Sequence, residues 1–191
     1  MQKKGKDIMI LPQELTFVDT ETTGLNSLTG EIIEIGIIKI KNMQVVQTFQ
    51  SLVKPENPIS SFSLQLTGIK ASDVAMAPSF TDVLPEILPL LTDGIFVAHN
   101  VDFDYAFLQR ALAKNNKKLA MQRLCTVKLY EYFYPNAFSH SLGALIERFG
   151  FETKNRHRAY DDALVLWEFY QRLLRTHSEG EVIDALQLLI K

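Results

Sequence analysis

Three short acidic segments, far apart in the chain, carry the residue types that metal-assisted chemistry requires. They are Asp19-Thr20-Glu21, Asp102-Phe103-Asp104 and the segment from His157 to Asp162. Each is framed by apolar residues, and a carboxylate in such a frame must be neutralised if it is to be buried. Divalent cations neutralise several carboxylates at once, and a histidine beside them exchanges a proton near neutral pH. The spacing therefore predicts a metal site with His157 as its proton carrier.

The first segment follows an apolar strand. Leu15 to Val18 predicts a buried strand that runs into Asp19. Residues two apart in a strand project from the same face, so Asp19 and Glu21 are predicted to point together and to share a cation. The alternative for this segment alone is an ordinary acidic strand end at the surface.

Helical periodicity separates the aspartates of the second segment. On a helix from Asp102 to Lys114, Asp104 aligns with Leu108 and Ala111 on an apolar stripe. Asp102 lies on the more polar side, where its charge suits a helix start without any chemical role. We expect Asp104 to be the ligand.

Helical periodicity also separates the two aspartates of the third segment. Asp162 shares a stripe with Leu166 and Phe169, whereas Asp161 aligns with more polar positions. Asp162 is therefore the candidate ligand. His157 lies five residues earlier, outside the apolar face of the helix, and is the candidate general base.

The elements that must position these residues are three strands followed by alternating helices and strands. Short connections predict that the first three strands form an antiparallel meander, so the fold class is α/β, with a mixed sheet flanked by helices. We expect one domain over residues 1–191, with a core at about 13–176 and a C-terminal amphipathic helix at about 179–190 that packs on it. The predicted strands are 15–18, 31–40, 45–53, 95–98 and 124–126, and the predicted helices are 78–91 (with a kink or a late start), 102–114, 142–149, 160–176 and 181–190.

Composition limits the class of protein. The chain has 191 residues, 47% of them hydrophobic, with a net charge of -2 and a single cysteine, which excludes an internal disulfide framework. No segment is long and apolar enough to span a bilayer, so we expect a soluble, cytoplasmic protein that does not bind membranes. The net charge neither favours nor excludes a nucleic-acid substrate, because an enzyme that grips a strand end through metal ions need not be basic.

Taken together, the three segments resemble the motifs of DnaQ-like 3′–5′ exonucleases of the DEDDh type, a family that includes proofreading exonucleases of bacterial DNA polymerase III. The matching stretches are Phe17 to Leu25, Val97 to Asp104 and His157 to Ala163, with Leu66 to Ile69 matching a segment that usually precedes the second motif. Each motif alone is weak, whereas the three in order are specific. The resemblance covers about residues 15–174.

The resemblance implies a ribonuclease H-like fold, with a five-stranded mixed sheet whose first three strands are antiparallel. It also implies two divalent metal ions, Mg²⁺ or Mn²⁺. Carried onto this sequence, Asp19, Glu21, Asp104 and Asp162 would bind the metals, and His157 would be the general base. These are the residues that the strand and helix arguments select independently.

The resemblance also suggests residues that contact the substrate. The terminal nucleotide would rest near Thr20, Thr22 and Leu25, and Phe103 would stack near its base. Relatives can carry a histidine at the position of Thr67, and His99, which directly follows a strand, would line the cleft in an orienting or packing role. The ordinary alternatives are a turn for Thr22 and Leu25 and a core aromatic for Phe103.

The resulting functional prediction is an exonuclease that releases nucleoside 5′-monophosphates from single-stranded or frayed DNA 3′ ends, in proofreading or repair. One alternative is a 3′–5′ exoribonuclease, which would need contacts to the 2′-hydroxyl that the sequence does not identify. Another is a non-catalytic module associated with a polymerase, against which the intact acids and His157 argue. The sequence leaves open whether the chain acts alone or as a subunit of a DNA polymerase.

Overall fold

The computed structural model describes residues 10–153 and 156–191. Its central element is a five-stranded mixed sheet. The strand order is β3-β2-β1-β4-β5. The first three strands are antiparallel, and β4 and β5 are parallel to β1. The predicted sheet is confirmed, while residues 1–9 and 154–155 of the predicted domain lie outside the described residues. The strands are β1 (Glu14–Thr22), β2 (Ile32–Lys41), β3 (Gln44–Leu52), β4 (Ile95–Ala98) and β5 (Gln122–Cys125).

Eight helices are described around the sheet. The sequence did not predict α1, α2 and α5, which have at most eight residues and hence little periodicity. The helix predicted over 78–91, with a kink or a late start, begins at Phe80 after the Ser79 capping box, contains Pro85, and gives way to a 3₁₀ turn at Leu88–Leu91. The helices are α1 (Ser61–Thr67), α2 (Ala71–Ala75), α3 (Phe80–Ile87), α4 (Val101–Lys114), α5 (Thr126–Phe133), α6 (Leu142–Phe149), α7 (Ala159–Thr176) and α8 (Glu179–Leu189).

The side chains of β1 point alternately into two core layers, one on each face of the sheet. Leu15 and Phe17 are buried with apolar residues of α5 to α8 on one face of the sheet, and Phe17 contacts the rings of α7. Val18 is buried with apolar residues of α3 and α4 on the other face. Since side chains alternate, Asp19 and Glu21 must project toward the α7 side and Thr20 toward the α4 side.

The start of α7 lies directly against β2. A Cβ atom built on Gly36 would collide with the backbone of Ala159 and Tyr160, so only glycine permits this approach. Gly36 is paired with Asp19 across the β1–β2 ladder. The contact therefore places the first turn of α7 beside the acidic end of β1.

The C-terminal helix packs on the rest of the fold, as predicted. Val182, Ala185 and Leu186 of α8 are buried in the layer that contains α5 and α7. The backbone of Lys191 exchanges two hydrogen bonds with that of Arg123 in β5. No helix in the described part of the chain combines the length and the apolar character needed to cross a membrane.

Candidate active site

The carboxylates of β1 lie where the strand leaves the core. Asp19 and Glu21 are both partly buried, and each is directly opposite a β2 residue: Asp19 opposite Gly36 and Glu21 opposite Glu34. Directly opposed side chains share a face of the sheet, so Glu21 and Glu34 are close neighbours of like charge. Such a pair requires a nearby cation or proton to be stable.

The second motif contributes Asp104, the fourth residue of α4. Its side chain is only 3% exposed, and its Oδ1 accepts hydrogen bonds from the Thr20 backbone N–H (2.9 Å) and from the Thr20 hydroxyl (2.8 Å). Asp102 is exposed and binds Arg123 at 2.7 Å. The structure thus orients the two aspartates as the helical periodicity predicts, with Asp104 inward and joined to β1.

The third motif contributes Asp162, the fourth residue of α7, which is also 3% exposed. Its Oδ1 has no hydrogen-bond partner among the described residues, and Arg156 Nε lies 3.9 Å away. One ligand atom each of Glu21, His157 and Asp162 lie within 4.8 Å of one another. Glu21 therefore lies beside His157 and Asp162, which follow it by 136 and 141 positions in the sequence.

The carboxyl groups of the cluster have raised pKa values, because the neighbouring side chains do not fully neutralise their charge. Burial, reinforced by Asp162, Glu34 and Asp104, raises the pKa of Glu21 to about 8. Burial also raises the pKa of Asp104 to about 7 and that of Asp19 well above its usual value, and it raises the pKa of Asp162. Desolvation and mutual repulsion disfavour the charged forms.

The residues present fit divalent metal ions. Four carboxyl groups with raised pKa values converge, and one buried Asp162 oxygen has no partner among the described residues. Hard cations such as Mg²⁺ and Mn²⁺ prefer oxygen ligands of this kind. Bound cations would replace the protons that these groups otherwise retain.

Glu34 belongs to the same neighbourhood, although the sequence reasoning did not select it. It is fully buried, and its carboxylate accepts hydrogen bonds from Arg158 Nε and Nη2, from the Ala159 N–H and from Gln50 Nε2. The available signal was an acid in the middle of the apolar strand Ile32 to Ile40, which implies a buried partner.

Three of the six predicted substrate residues, the threonines, are committed to internal hydrogen bonds. The hydroxyls of Thr20, Thr22 and Thr67 donate to the Asp104 carboxylate, the Gly24 carbonyl and the Ser63 carbonyl, respectively. These contacts make Thr20 a support for Asp104, join Thr22 at the end of β1 to Gly24, and close the last turn of α1 through Thr67. Their roles in binding substrate stay predictions.

The other three predicted contacts differ in accessibility. Leu25 is 79% exposed, beyond the end of β1. Phe103 is partly buried and packs against Phe107 in a tilted arrangement, with ring centroids 4.9 Å apart. His99 Nδ1 lies 3.0 Å from the Thr126 hydroxyl, and burial lowers the pKa of His99 to about 4, so the ring is neutral at pH 7. A neutral, anchored imidazole fits the orienting role predicted for His99.

Comparison with known proteins now decides the family. A family model described as an exonuclease matches residues 16–170. The chain belongs to this exonuclease family. A PolC-type DNA polymerase III of Caldanaerobacter subterraneus is 37% identical over 175 residues, which are 92% of this chain and 12% of that protein. A 3′–5′ exonuclease DinG of Staphylococcus epidermidis is 37% identical over 147 residues, 76% of this chain and 16% of that protein.

Solved structures agree on the fold. Exonuclease X in complex with 5′ overhanging duplex DNA is 25% identical, with a TM-score of 0.68 over 90% of this chain and 98% of that one. The nuclease domain of 3′hExo, a DEDDh family member, has a TM-score of 0.72 at 23% identity over 88% and 95% of the two chains. The predicted ribonuclease H-like exonuclease fold is confirmed, in a chain that spans less than a fifth of the curated relatives described above.

Proposed function

We propose that this chain is a metal-dependent 3′–5′ exonuclease that releases nucleoside 5′-monophosphates from DNA. The observation that carries the proposal is the convergence of Glu21, His157 and Asp162, whose ligand atoms lie within 4.8 Å of one another. Membership of the exonuclease family supports it. A surface cluster of acids would not require Asp162 to be only 3% exposed.

Four carboxylates would hold the metal ions, which we propose to be two Mg²⁺ or Mn²⁺ ions. Asp19 and Glu21 would contribute from β1, Asp104 from α4 and Asp162 from α7. Bound there, the ions supply Lewis-acid stabilisation of the negative charge that develops on the phosphate oxygens during hydrolysis.

The remaining chemistry belongs to side chains of this chain. We propose that His157 accepts a proton from the attacking water, and that Glu21 and Asp162 stabilise the positive charge which the ring then carries. Thr20 keeps Asp104 in one orientation through two hydrogen bonds to the same oxygen. A carboxylate fixed in this way loses little entropy when it binds an ion.

We propose DNA with a single-stranded or frayed 3′ end as the substrate. Leu25, 79% exposed, and Phe103 supply apolar surface for the terminal base, and base stacking on such surface does not depend on sequence. The PolC-type relatives carry a segment similar to this chain within a DNA polymerase, which supports association with a polymerase. We also propose that the chain folds as one domain and acts in the cytoplasm.

A degradation assay tests the proposed function. The protein is incubated with single-stranded DNA, a duplex with a mismatched 3′ end, circular single-stranded DNA and RNA, each with Mg²⁺, Mn²⁺ or EDTA. We expect metal-dependent release of mononucleotides from the linear DNAs and no cleavage of the circle. His157→Ala should slow release by about 10²-fold or more, the usual contribution of a general base.

The control is His177→Gln, since His177 contacts Phe133 and Tyr134 away from the acids and should have no effect on the rate. Cleavage of circular DNA, or full activity of His157→Ala, would contradict the proposal. Faster digestion of RNA than of DNA would replace DNA by RNA as the substrate.

A further inference from the structure

Glu34 stands apart from the other acids near the site because its charge is fully paired. Arg158 donates from Nε to both carboxylate oxygens (3.1 and 3.0 Å) and from Nη2 to Oε1 (2.8 Å). Gln50 donates to Oε1 at 3.1 Å, and the Ala159 N–H donates to Oε2 at 3.2 Å. Both oxygens are therefore occupied by protein donors, which makes Glu34 a poor ligand for a metal ion.

These contacts fix the N-terminus of α7 from outside the helix. Within the described part of the chain, the residue that precedes α7, Arg158, provides no side-chain cap of its own. Glu34 supplies the missing acceptor for the first helical N–H, that of Ala159, from the neighbouring strand. Gly36, two residues along the same strand, lets the helix backbone touch β2. The helix start is thus anchored to the strand that flanks β1.

His157 is separated from this anchor by a single peptide bond. Its φ is +60°, in the left-handed region, which is strained for a residue with a side chain. Such a conformation persists only where the surroundings enforce it. The bidentate Arg158–Glu34 pair holds the next residue in one place, and the fixed fork of a guanidinium gives this pair a defined geometry.

We propose that Glu34 and Arg158 are positioning residues whose function is to hold the His157 imidazole at the acidic cluster. This inference rests on the proposed function, in which His157 is the general base. The pair acts through His157 and binds neither the metal ions nor the substrate.

NMR of the histidine rings tests, without substrate, whether the pair holds the His157 imidazole in place. The protein contains four histidines, so the His157 signal can be assigned by its loss in His157→Ala. Arg158→Lys keeps the charge but removes the fork, and Glu34→Gln removes the charge. Both should shift and broaden the His157 ring signals while those of the other three histidines stay unchanged. Unchanged His157 signals in both variants would overturn the proposal, whether or not the protein proves to be a nuclease.

Matched controls come from a second arginine–carboxylate pair near the second motif. Asp102 and Arg123 are joined at 2.7 Å, and Asp102 is exposed. Asp102→Asn and Arg123→Lys break this pair as Glu34→Gln and Arg158→Lys break the other. The control variants should leave the His157 signals and the rate of nucleotide release as in the unmodified protein.

A double-mutant cycle tests whether the Glu34–Arg158 pair affects the reaction rate through His157. Arg158→Lys should lower kcat by about 10-fold or more, with KM and the affinity for Mn²⁺ changed by less than about threefold. In the His157→Ala background, measured in single turnover with excess protein, Arg158→Lys should have almost no further effect, because the pair acts through the missing ring.

A merely structural role predicts a different pattern. Arg158→Lys would then slow His157→Ala by the same factor as it slows the unmodified protein, or the loss of rate would follow a loss of Mn²⁺ affinity. Either result overturns the proposal. If the unmodified protein releases no nucleotides at all, the proposed function fails, while the NMR comparison still reports on the anchoring of His157.

Discussion

The N-terminal turns of α4 and α7 each place an aspartate at the end of the sheet, but the protein holds the two turns by different contacts. Each helix presents an aspartate as its fourth residue, 3% exposed, at the end of the sheet. A residue with positive φ lies before each helix, Asn100 directly before α4 and His157 two residues before the first residue of α7. In neither helix does the residue before the first turn provide a side-chain cap, within the described part of the chain. The two starts differ in where the protein holds them.

At α4 the aspartate itself is held, and at α7 the backbone is held. Thr20 donates two hydrogen bonds to Asp104, whereas Glu34 contacts Arg158 and Ala159 and leaves Asp162 Oδ1 without a partner in the described structure. The first helix thus offers a carboxylate of fixed orientation. The second offers one with an unused oxygen, next to an imidazole that must be held in place. Under the proposed function, the start of α4 would bind metal, and the start of α7 would combine metal binding with proton transfer.

The largest effect is expected from Asp162. Asp162→Asn keeps the shape of the side chain but removes the charge, so it should lower the rate by about 10³-fold, equivalent to roughly 4 kcal/mol of transition-state stabilisation. The rate of mononucleotide release in Mg²⁺ measures this. Asp102→Asn is the matched control and should be fully active. An Asp162→Asn protein with unimpaired activity would show that α7 does not contribute a ligand.

The contact of α7 with β2 is the next most sensitive feature. Gly36→Ala should force the helix start away from the strand, and a displacement of order 1 Å at a catalytic group costs about 10²-fold in rate. Overpacking should also destabilise the protein by about 1–3 kcal/mol.

Calorimetry and the nuclease assay check this prediction together. Gly180→Ala in α8 is the control, because no atom lies within 4 Å of its added Cβ, and it should leave the rate unchanged. Wild-type stability and rate in Gly36→Ala would mean that the close approach does not matter.

A smaller effect is expected at α4. Thr20→Val removes the hydroxyl donor to Asp104 but keeps the backbone donor, so the rate should fall by about 10-fold. Thr16→Val is the control, since Thr16 lies on the same face of β1 and also loses a buried hydrogen bond, to Leu90. Both variants should lose thermal stability, but only Thr20→Val should lose activity at a fixed Mg²⁺ concentration. Equal rates in the two variants would remove Thr20 from the support of Asp104.

The smallest expected effect is on stability as a function of pH. The pKa of Glu21 in the folded protein, about 8, and that of Asp104, about 7, exceed the ordinary values of 4.5 and 3.8. Between pH 4 and pH 8 the folded state therefore binds more protons than the unfolded state, and stability falls as pH rises.

Thermal melts in EDTA should show this decrease, by roughly 5 °C or more between pH 5 and pH 8. Mn²⁺ should restore the melting temperature at pH 8 much more than at pH 5. A metal-free protein that becomes more stable toward pH 8 would contradict the raised pKa values.

Local periodicity is what allowed the sequence to predict which aspartates of α4 and α7 face inward. Choosing Asp104 over Asp102 needs only the helical repeat, which the structure reproduces. The antiparallel pairing of the first three strands likewise follows from their short connections, and the common face of Asp19 and Glu21 follows from the alternation of side chains along β1.

The Glu34–Arg158 pair and the Thr20–Asp104 contact could not be predicted in this way. They depend on the register of β2 against β1 and on how closely α7 and α4 approach the sheet. These are tertiary distances that no local pattern contains. The buried acid in an apolar strand signals that a partner exists, but not which of the basic residues it is.

Anomalous diffraction from crystals grown with Mn²⁺ tests the central claim most directly, because it locates the ions without reference to activity. The account predicts two manganese positions bounded by Asp19, Glu21, Asp104 and Asp162, with the His157 ring beside them and Glu34 still bound to Arg158. Manganese bound elsewhere only, or coordinated by Glu34 after release of Arg158, would contradict it.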